Sequence, residues 1–240
     1  MTSVDLNKIL FLDIETTAQY EEYVQLSDVG KKLWDIKAGF LIKNQETETS
    51  ESIYNKAAFF AEFGKIVCVS VGYLQGSGGE RSLTIKSFCC EEEKELLTEL
   101  SELLTRWGSK KEHYLCAHNG KEFDFPYVCR RMIVNNICIP PILQLAGKKP
   151  WEVLHLDTFE LWKFGDRKSY TSLNLLAHVF NIPTPKEDMD GSMVYEVYYK
   201  QKNLTRIVEY CQRDVATLAQ IFLRMHCEPM IKPEKIEYKQ

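Results

Sequence analysis

A run of four apolar residues, Ile9-Leu-Phe-Leu12, leads straight into Asp13-Ile-Glu15 and then two threonines. The apolar run reads as a buried strand. Side chains at i and i+2 of a strand share a face, so Asp13 and Glu15 project together from the end of a hydrophobic element. Two neighbouring anions repel unless something positive joins them, and a divalent cation is the usual partner. The plainer alternative is a pair of solvated acids at a strand end. A fold for this chain has to bury that strand and still find a place for both carboxylates.

With 240 residues, 45% hydrophobic and 27% charged, the chain can bury a sizeable core as one large domain or two small ones, and wholesale disorder is excluded. No stretch approaches the ~18 consecutive apolar residues of a membrane span. Met1 to Lys8 lacks the basic-then-apolar pattern of a signal peptide. The eight cysteines form no Cys-x-x-Cys pair, so reduced thiols in a cytoplasmic protein are expected. The five histidines are scattered, with no His-Glu-x-x-His pair. A net charge of −4 speaks against a nucleic-acid partner. The objection weakens if four acids line a metal site, because 34 acids less four equals the 30 basic residues. Basic residues also pair locally, at Lys31-Lys32, Lys110-Lys111, Arg130-Arg131, Lys148-Lys149 and Arg167-Lys168. Local clusters rather than net charge govern phosphate contacts, although such pairs equally suit solvated faces.

The segment Ala18 to Glu62 spaces its apolar residues for one or two amphipathic helices around a flexible middle at Asn44 to Ser52. Lys65 to Leu74 is rich in β-branched residues and predicts a central strand; the glycine cluster from Gln75 to Gly79 predicts a hairpin turn, with Arg81 to Phe88 returning. That cluster lacks the Lys-Ser/Thr of a phosphate-binding loop. Glu91 to Trp107 reads as a helix and His113 to Ala117 as a buried strand, and a further helix continues to Asn135. A last strand is expected at Trp151 to Asp157, followed by helices at Thr158 to Lys163, Thr171 to Phe180, Ser192 to Lys200 and Asn203 to Met225, the last capped by Asn203. Residues 228–240 are charged, contain two prolines, and read as a loose tail. Strands interleaved with helices, one pair forming a hairpin, predict an α/β fold with a mixed sheet.

Two further acidic motifs follow downstream. Asn119-Gly-Lys-Glu-Phe-Asp124 starts at the C-terminal end of a predicted buried strand, where open α/β sheets place their sites. Asp124 also suits a helix start, so capping is its alternative role. Tyr210-Cys-Gln-Arg-Asp214 lies within the last long helix, and its spacing puts the phenol and the carboxylate one turn apart on one face. Both border the predicted core stripe Ile207, Cys211, Val215, Leu218 and Phe222, where an unpaired carboxylate is unfavourable. A solvated Asp214 pairing with Arg206 or Arg213 is the alternative.

In order, Asp-x-Glu, Asn-x-x-x-Phe-Asp and Tyr-x-x-x-Asp resemble the DEDD superfamily of 3′–5′ exonucleases, in the subgroup whose last motif carries tyrosine. The likeness is to predicted exonucleases related to the proofreading domain of family-B DNA polymerases, and it extends over roughly Ile9 to Met225. Phe60 to Cys68 and Asp190 to Val194 also look like that group. The resemblance implies a ribonuclease H-like α/β fold, a mixed sheet flanked by helices, with residues 1–227 as a single exonuclease domain. It also implies two Mg²⁺ or Mn²⁺ ions held by Asp13, Glu15, Asp124 and Asp214. Asp13 would bridge both ions, Glu15 and Asp214 would complete the first site, and Asp124 would serve the second, through water if not directly. Tyr210 would orient the attacking water; with a reference pKa of ~10 it is a poor base at neutral pH, which leaves deprotonation mainly to the metal. Thr16, Asn119 and Phe123 match positions that line the pocket of the terminal nucleotide. The implied substrate is the 3′ end of single-stranded DNA, in preference to RNA, and the product 5′-mononucleotides.

The 18–62 segment departs from this pattern, since related domains join these two strands more tightly. It is expected as a helical insertion serving as a cap, a partner surface or a guide for the strand. No polymerase domain follows, so proofreading in cis is not expected. A haloacid dehalogenase-like phosphatase is the rival enzyme, but there the second acid of the first motif is typically aspartate and a paired acid motif comes late. A non-catalytic nucleic-acid-binding module is the rival from another class.

Overall fold

The computed structural model describes residues 4–43, 46–166, 170–183 and 189–239. Among these, six strands form one mixed sheet in the order β5-β4-β1-β2-β3-β6. They are β1 (Ile9–Ala18), β2 (Gly64–Gln75), β3 (Ser82–Phe88), β4 (Tyr114–Ala117), β5 (Leu156–Asp157) and β6 (Ile236–Lys239). β2 pairs antiparallel with both β1 and β3, whereas β1–β4, β4–β5 and β3–β6 are parallel.

β1 is buried on both faces, which explains an apolar run without alternation. Leu10, Leu12 and Ile14 pack towards α2 (Glu93–Gly108) and α3 (Asp124–Val134), on Leu96, Leu97, Leu100 and Val128. Ile9 and Phe11 face the other way, onto Val215, Leu218 and Phe222 of the long helix α7 (Leu204–Met225). α7 follows its predicted span, with the Asn203 side chain accepting from the backbone N–H of Arg206 as cap. The remaining helices are α1 (Asp28–Gly39), α4 (Thr158–Lys163), α5 (Leu173–Val179) and α6 (Val194–Tyr199).

The structure corrects four expectations. β1 does not stop at the acids but runs on to Ala18, so Asp13 and Glu15 lie mid-strand, opposite Ser70 and Cys68 of β2. A register shift between Glu15 and Thr16 follows them, an irregularity of the kind found beside functional sites. The strand expected from Trp151 shrinks to two residues. Its would-be partner β4 is short, and the N–H of Leu115 is taken by His155 Nδ1 at 3.3 Å instead of a strand neighbour. The C-terminal segment is not loose: β6 pairs with Leu83 to Lys86 of β3, and the Gln220 side chain binds both the N–H and C=O of the buried Ile231. Finally, the described part of the segment between β1 and β2 holds one α-helix, α1, within the one or two expected, and 3₁₀ turns at Tyr23–Gln25 and Tyr54–Phe59, and the difference lies in its middle. Of its expected flexible middle, Asn44 and Gln45 lie outside the described residues, while Thr49 and Ser52 exchange hydrogen bonds in a closed turn.

The Ala58 carbonyl ties this segment to β1 and α3, accepting from Thr16 Oγ1 and Tyr127 Oη, both at 2.9 Å. Gly64 makes room for the tyrosine, because a Cβ there would collide with its hydroxyl and come within 2.9 Å of the Thr17 carbonyl. Gly64→Ala is therefore expected to destabilise the protein by about 1–3 kcal/mol, roughly 2–4 °C of melting temperature per kcal/mol. Gly39→Ala is the control, since its Cβ would meet nothing within 4 Å. Thermal unfolding of the two variants measures this, and equal melting temperatures would contradict the close packing at Gly64.

Candidate active site

Three elements carry the acids together. β1 delivers Asp13 and Glu15 on the face turned towards α7, and α7 presents Cys211 opposite them. Ligand atoms of Asp13, Glu15 and Cys211 all lie within 4.8 Å of one another. The Cys211 thiol donates to Asp13 Oδ2 at 3.4 Å, fixing one oxygen of that carboxylate from behind. Tyr210 is buried and its phenol is hydrogen-bonded to Asp214 one turn along the same helix. As expected, Ile207, Cys211, Val215, Leu218 and Phe222 form the buried stripe beside them.

The third element is the β4–α3 connection. Asn119 adopts a left-handed backbone with φ 60°, and Gly120 follows where a Cβ would strike Ala117. Asp124 is the first residue of α3, buried, and its carboxyl is bound by the backbone N–H groups of Asp124 itself and Ile14. The connection is held by Asp157, which escaped the sequence reading. Its carboxylate accepts from Asn119 N–H at 2.9 Å and Lys121 N–H at 3.1 Å, and also caps α4 through Phe159 N–H at 2.9 Å. Its only sequence signal was an aspartate before a short helical segment, an ordinary cap.

Asp13, Glu15, Asp124, Tyr210 and Asp214 all line one open cleft of about 620 Å³, as do Thr16, Asn119 and Phe123. The Thr16 hydroxyl is engaged with the Ala58 carbonyl at 2.9 Å. Residues that sequence reasoning missed complete the walls: Asn55, Lys56 and Phe59 from the 18–62 segment, Ser192 and Tyr195 near α6, and His118 with Tyr170. His118 has both ring nitrogens occupied, by Thr158 Oγ1 at 2.9 Å and the Thr171 carbonyl at 2.8 Å, and burial lowers its pKa.

Among the described residues, clustered negative charge dominates the electrostatics. Burial first, then Asp214 and Asp124, pushes Asp13 well above the usual carboxylate range. Burial and then Asp13 and Asp214 do the same to Glu15. Burial raises Asp124 to about 7 against the pull of its two backbone donors. Burial followed by the charge of Asp214 also pushes the Tyr210 phenol far above its ordinary value, so it is neutral at any physiological pH. Among the described residues lining the cleft, Lys56 is the only Lys or Arg side chain, and it pairs with Glu48 at 3.3 Å. A set of hard oxygen donors short of positive charge fits a divalent cation.

Fold and cleft together define an α/β domain of the ribonuclease H-like kind with an acid-lined site. The chain belongs to the family of predicted 3′–5′ exonucleases related to the exonuclease domain of PolB, whose model matches residues 59–239. That span takes in Asp124, Tyr210 and Asp214, while β1 with Asp13 and Glu15 precedes it. Among solved structures, the chain is similar to the family B DNA polymerase from the hyperthermophilic archaeon Pyrobaculum calidifontis, with a TM-score of 0.52 at 14% identity. The match covers 90% of this chain and 24% of the polymerase, so the chain spans about a quarter of that protein. No curated protein sequence matches it. The phosphatase alternative finds no support in these likenesses.

Carboxyls raised in the folded state keep protons that the unfolded chain, with acids near ~4, has already released. The metal-free protein is therefore expected to lose stability as pH rises from ~4 through about 7, the value for Asp124. Asp124→Asn should flatten that decline, and Asp13→Asn should raise the melting temperature in EDTA at pH 8. Unfolding curves between pH 5 and 8 read both effects, and parallel curves for wild type and variants would refute the assignment.

Proposed function

We propose that this chain is a divalent-metal-dependent 3′–5′ exonuclease that shortens single-stranded DNA, and RNA less readily, to 5′-mononucleotides. The supporting observation is the convergence of Asp13, Glu15, Asp124 and Asp214, from β1, α3 and α7, on one cleft whose described lining holds a single lysine, Lys56. Asp13, Glu15 and Asp214 would hold one cation, and Asp13 with Asp124 a second. Two bound Mg²⁺ or Mn²⁺ ions would supply an activated water and neutralise charge on the departing 3′ oxygen.

The chain's own residues do the rest. Tyr210, neutral and hydrogen-bonded to Asp214, can orient a water but cannot take its proton. Cys211 holds one oxygen of Asp13, leaving the other to the cleft. Thr16, Asn119 and Phe123, which line the same cleft, would surround the terminal nucleotide, with the Asn119 backbone set by Asp157. A single domain, with the 18–62 segment inserted, would carry the activity. The eight cysteines are all free thiols, which suits the cytoplasm, and no described helix is long and apolar enough to cross a membrane.

The test offers 5′-labelled single-stranded DNA and RNA to the protein with Mg²⁺, Mn²⁺ or EDTA. A descending ladder of products is expected with metal, and none in EDTA. Asp13→Ala should lose about 10²–10³-fold or more in rate, the scale of a principal electrostatic contribution. Tyr210→Phe should lose about tenfold, one hydrogen bond's worth of orientation. Equal activity of Asp13→Ala, or activity in EDTA, would overturn the proposal.

A further inference from the structure

One wall of the cleft has no part in the chemistry above. It is the 3₁₀ turn Tyr54–Phe59, whose Ala57 and Ala58 are buried while Phe59, its last residue, is 59% exposed. Phe59 faces the cleft together with Asn55 and Lys56 of the same turn. An aromatic ring left in water forgoes the free energy of burial, so a rigidly held exposed ring invites a flat apolar partner.

The backbone on either side of Phe59 is held firmly. The neighbouring Ala58 carbonyl accepts the two 2.9 Å hydrogen bonds from Thr16 and Tyr127. On the other side, Phe60 N–H donates to the Ala57 carbonyl at 3.0 Å and Gly64 N–H to Phe60 at 2.7 Å. Thr16 directly follows Glu15 in β1, and the Tyr127 ring lies 5.3 Å from that of Phe123. The backbone at Phe59 therefore stands at a fixed place relative to both the carboxylates and Phe123.

We propose that Phe59 is a substrate-positioning residue: its ring stacks on a nucleobase of the nucleic-acid strand upstream of the scissile phosphate, beside Lys56, which meets the backbone. The inference rests on the exonuclease reading and gives the 18–62 segment a role in it as one side of the strand's path. Stacking of this kind tolerates any base, because every base presents a π face. It also favours an unpaired end over a duplex, whose bases are already stacked on one another.

The experiment uses the full chain with Mn²⁺ and two substrates: a single-stranded decamer of thymidylate, and the p-nitrophenyl ester of thymidine 5′-monophosphate, which has no upstream base. Phe59→Ala is expected to lose about tenfold in kcat/KM on the decamer, chiefly through KM. It should keep the wild-type rate on the ester, and Phe59→Trp should restore the decamer. Equal losses on both substrates would reduce Phe59 to a structural role and overturn the proposal, as would an unchanged decamer rate. If the wild type cleaves neither substrate, the exonuclease reading fails and stacking is judged by binding alone. Phe59→Trp then supports it if the decamer quenches the added tryptophan fluorescence relative to wild type, and overturns it if the added signal is unmoved.

Discussion

The repulsion among carboxylates gathered at the junction of β1, α3 and α7 is the interaction that the rest of this structure has to contain. Two unit charges about 4–5 Å apart repel by on the order of 3–4 kcal/mol at an effective dielectric near 20. Proton uptake relieves part of that, as the raised carboxyl groups indicate. The remainder is borne by rigidity. β1 is clamped between two apolar layers, one from α2 and α3 and one from α7, and cannot swing its acids apart. Backbone N–H groups at Asp124 and the thiol at Asp13 soften the charge without neutralising it. A site whose described lining sets one lysine, Lys56, against four carboxylates is held ready for a mobile positive partner.

Elsewhere the fold handles buried charge in the opposite way. Arg131 on α3 makes a two-armed pair with Glu93 at the start of α2, at 2.9 and 2.5 Å, and both residues are buried. The same guanidinium donates to the Ala61 carbonyl and the Gln19 side chain, while Glu93 accepts the N–H of Ile66. Arg131 thus binds both ends of the 18–62 segment and joins them to two helices. Removing either partner would leave an uncompensated charge in the interior, a loss far greater than the pair's net contribution. Paired charge builds the frame, and clustered like charge marks the cleft.

What the sequence made legible follows from how local each signal is. The apolar run of β1 and the stripe of α7 are periodicities read within one element, and both appear where they were expected. The order of the three acidic motifs pointed to the family and to the mixed sheet. The true length of β1 was hidden, because Asp13, Glu15, Thr16 and Thr17 look like a strand's end although they continue it; only the pairing with β2 keeps them extended. Asp157, Arg131 and Phe59 were hidden for a different reason. Asp157 looks like a plain cap, Arg131 like half of a solvated basic pair, and Phe59 like one more core aromatic. Their surroundings form only when residues 36 or more positions away arrive beside them or their neighbours.

The two outer strands carry a consequence for how the molecule behaves in a crowd. Sheet edges with free backbone groups recruit strands from neighbouring molecules and seed association. Here β5 offers just two residues at one edge, too few for a stable ladder. At the other, β6 covers β3, so the long β2–β3 hairpin is never the outermost pair. Its own outward run, Ile236-Glu-Tyr-Lys239, is short and carries charge of both signs. Shortening the chain before Ile236 would uncover β3 and trade a closed, self-limiting sheet for one with an adhesive margin.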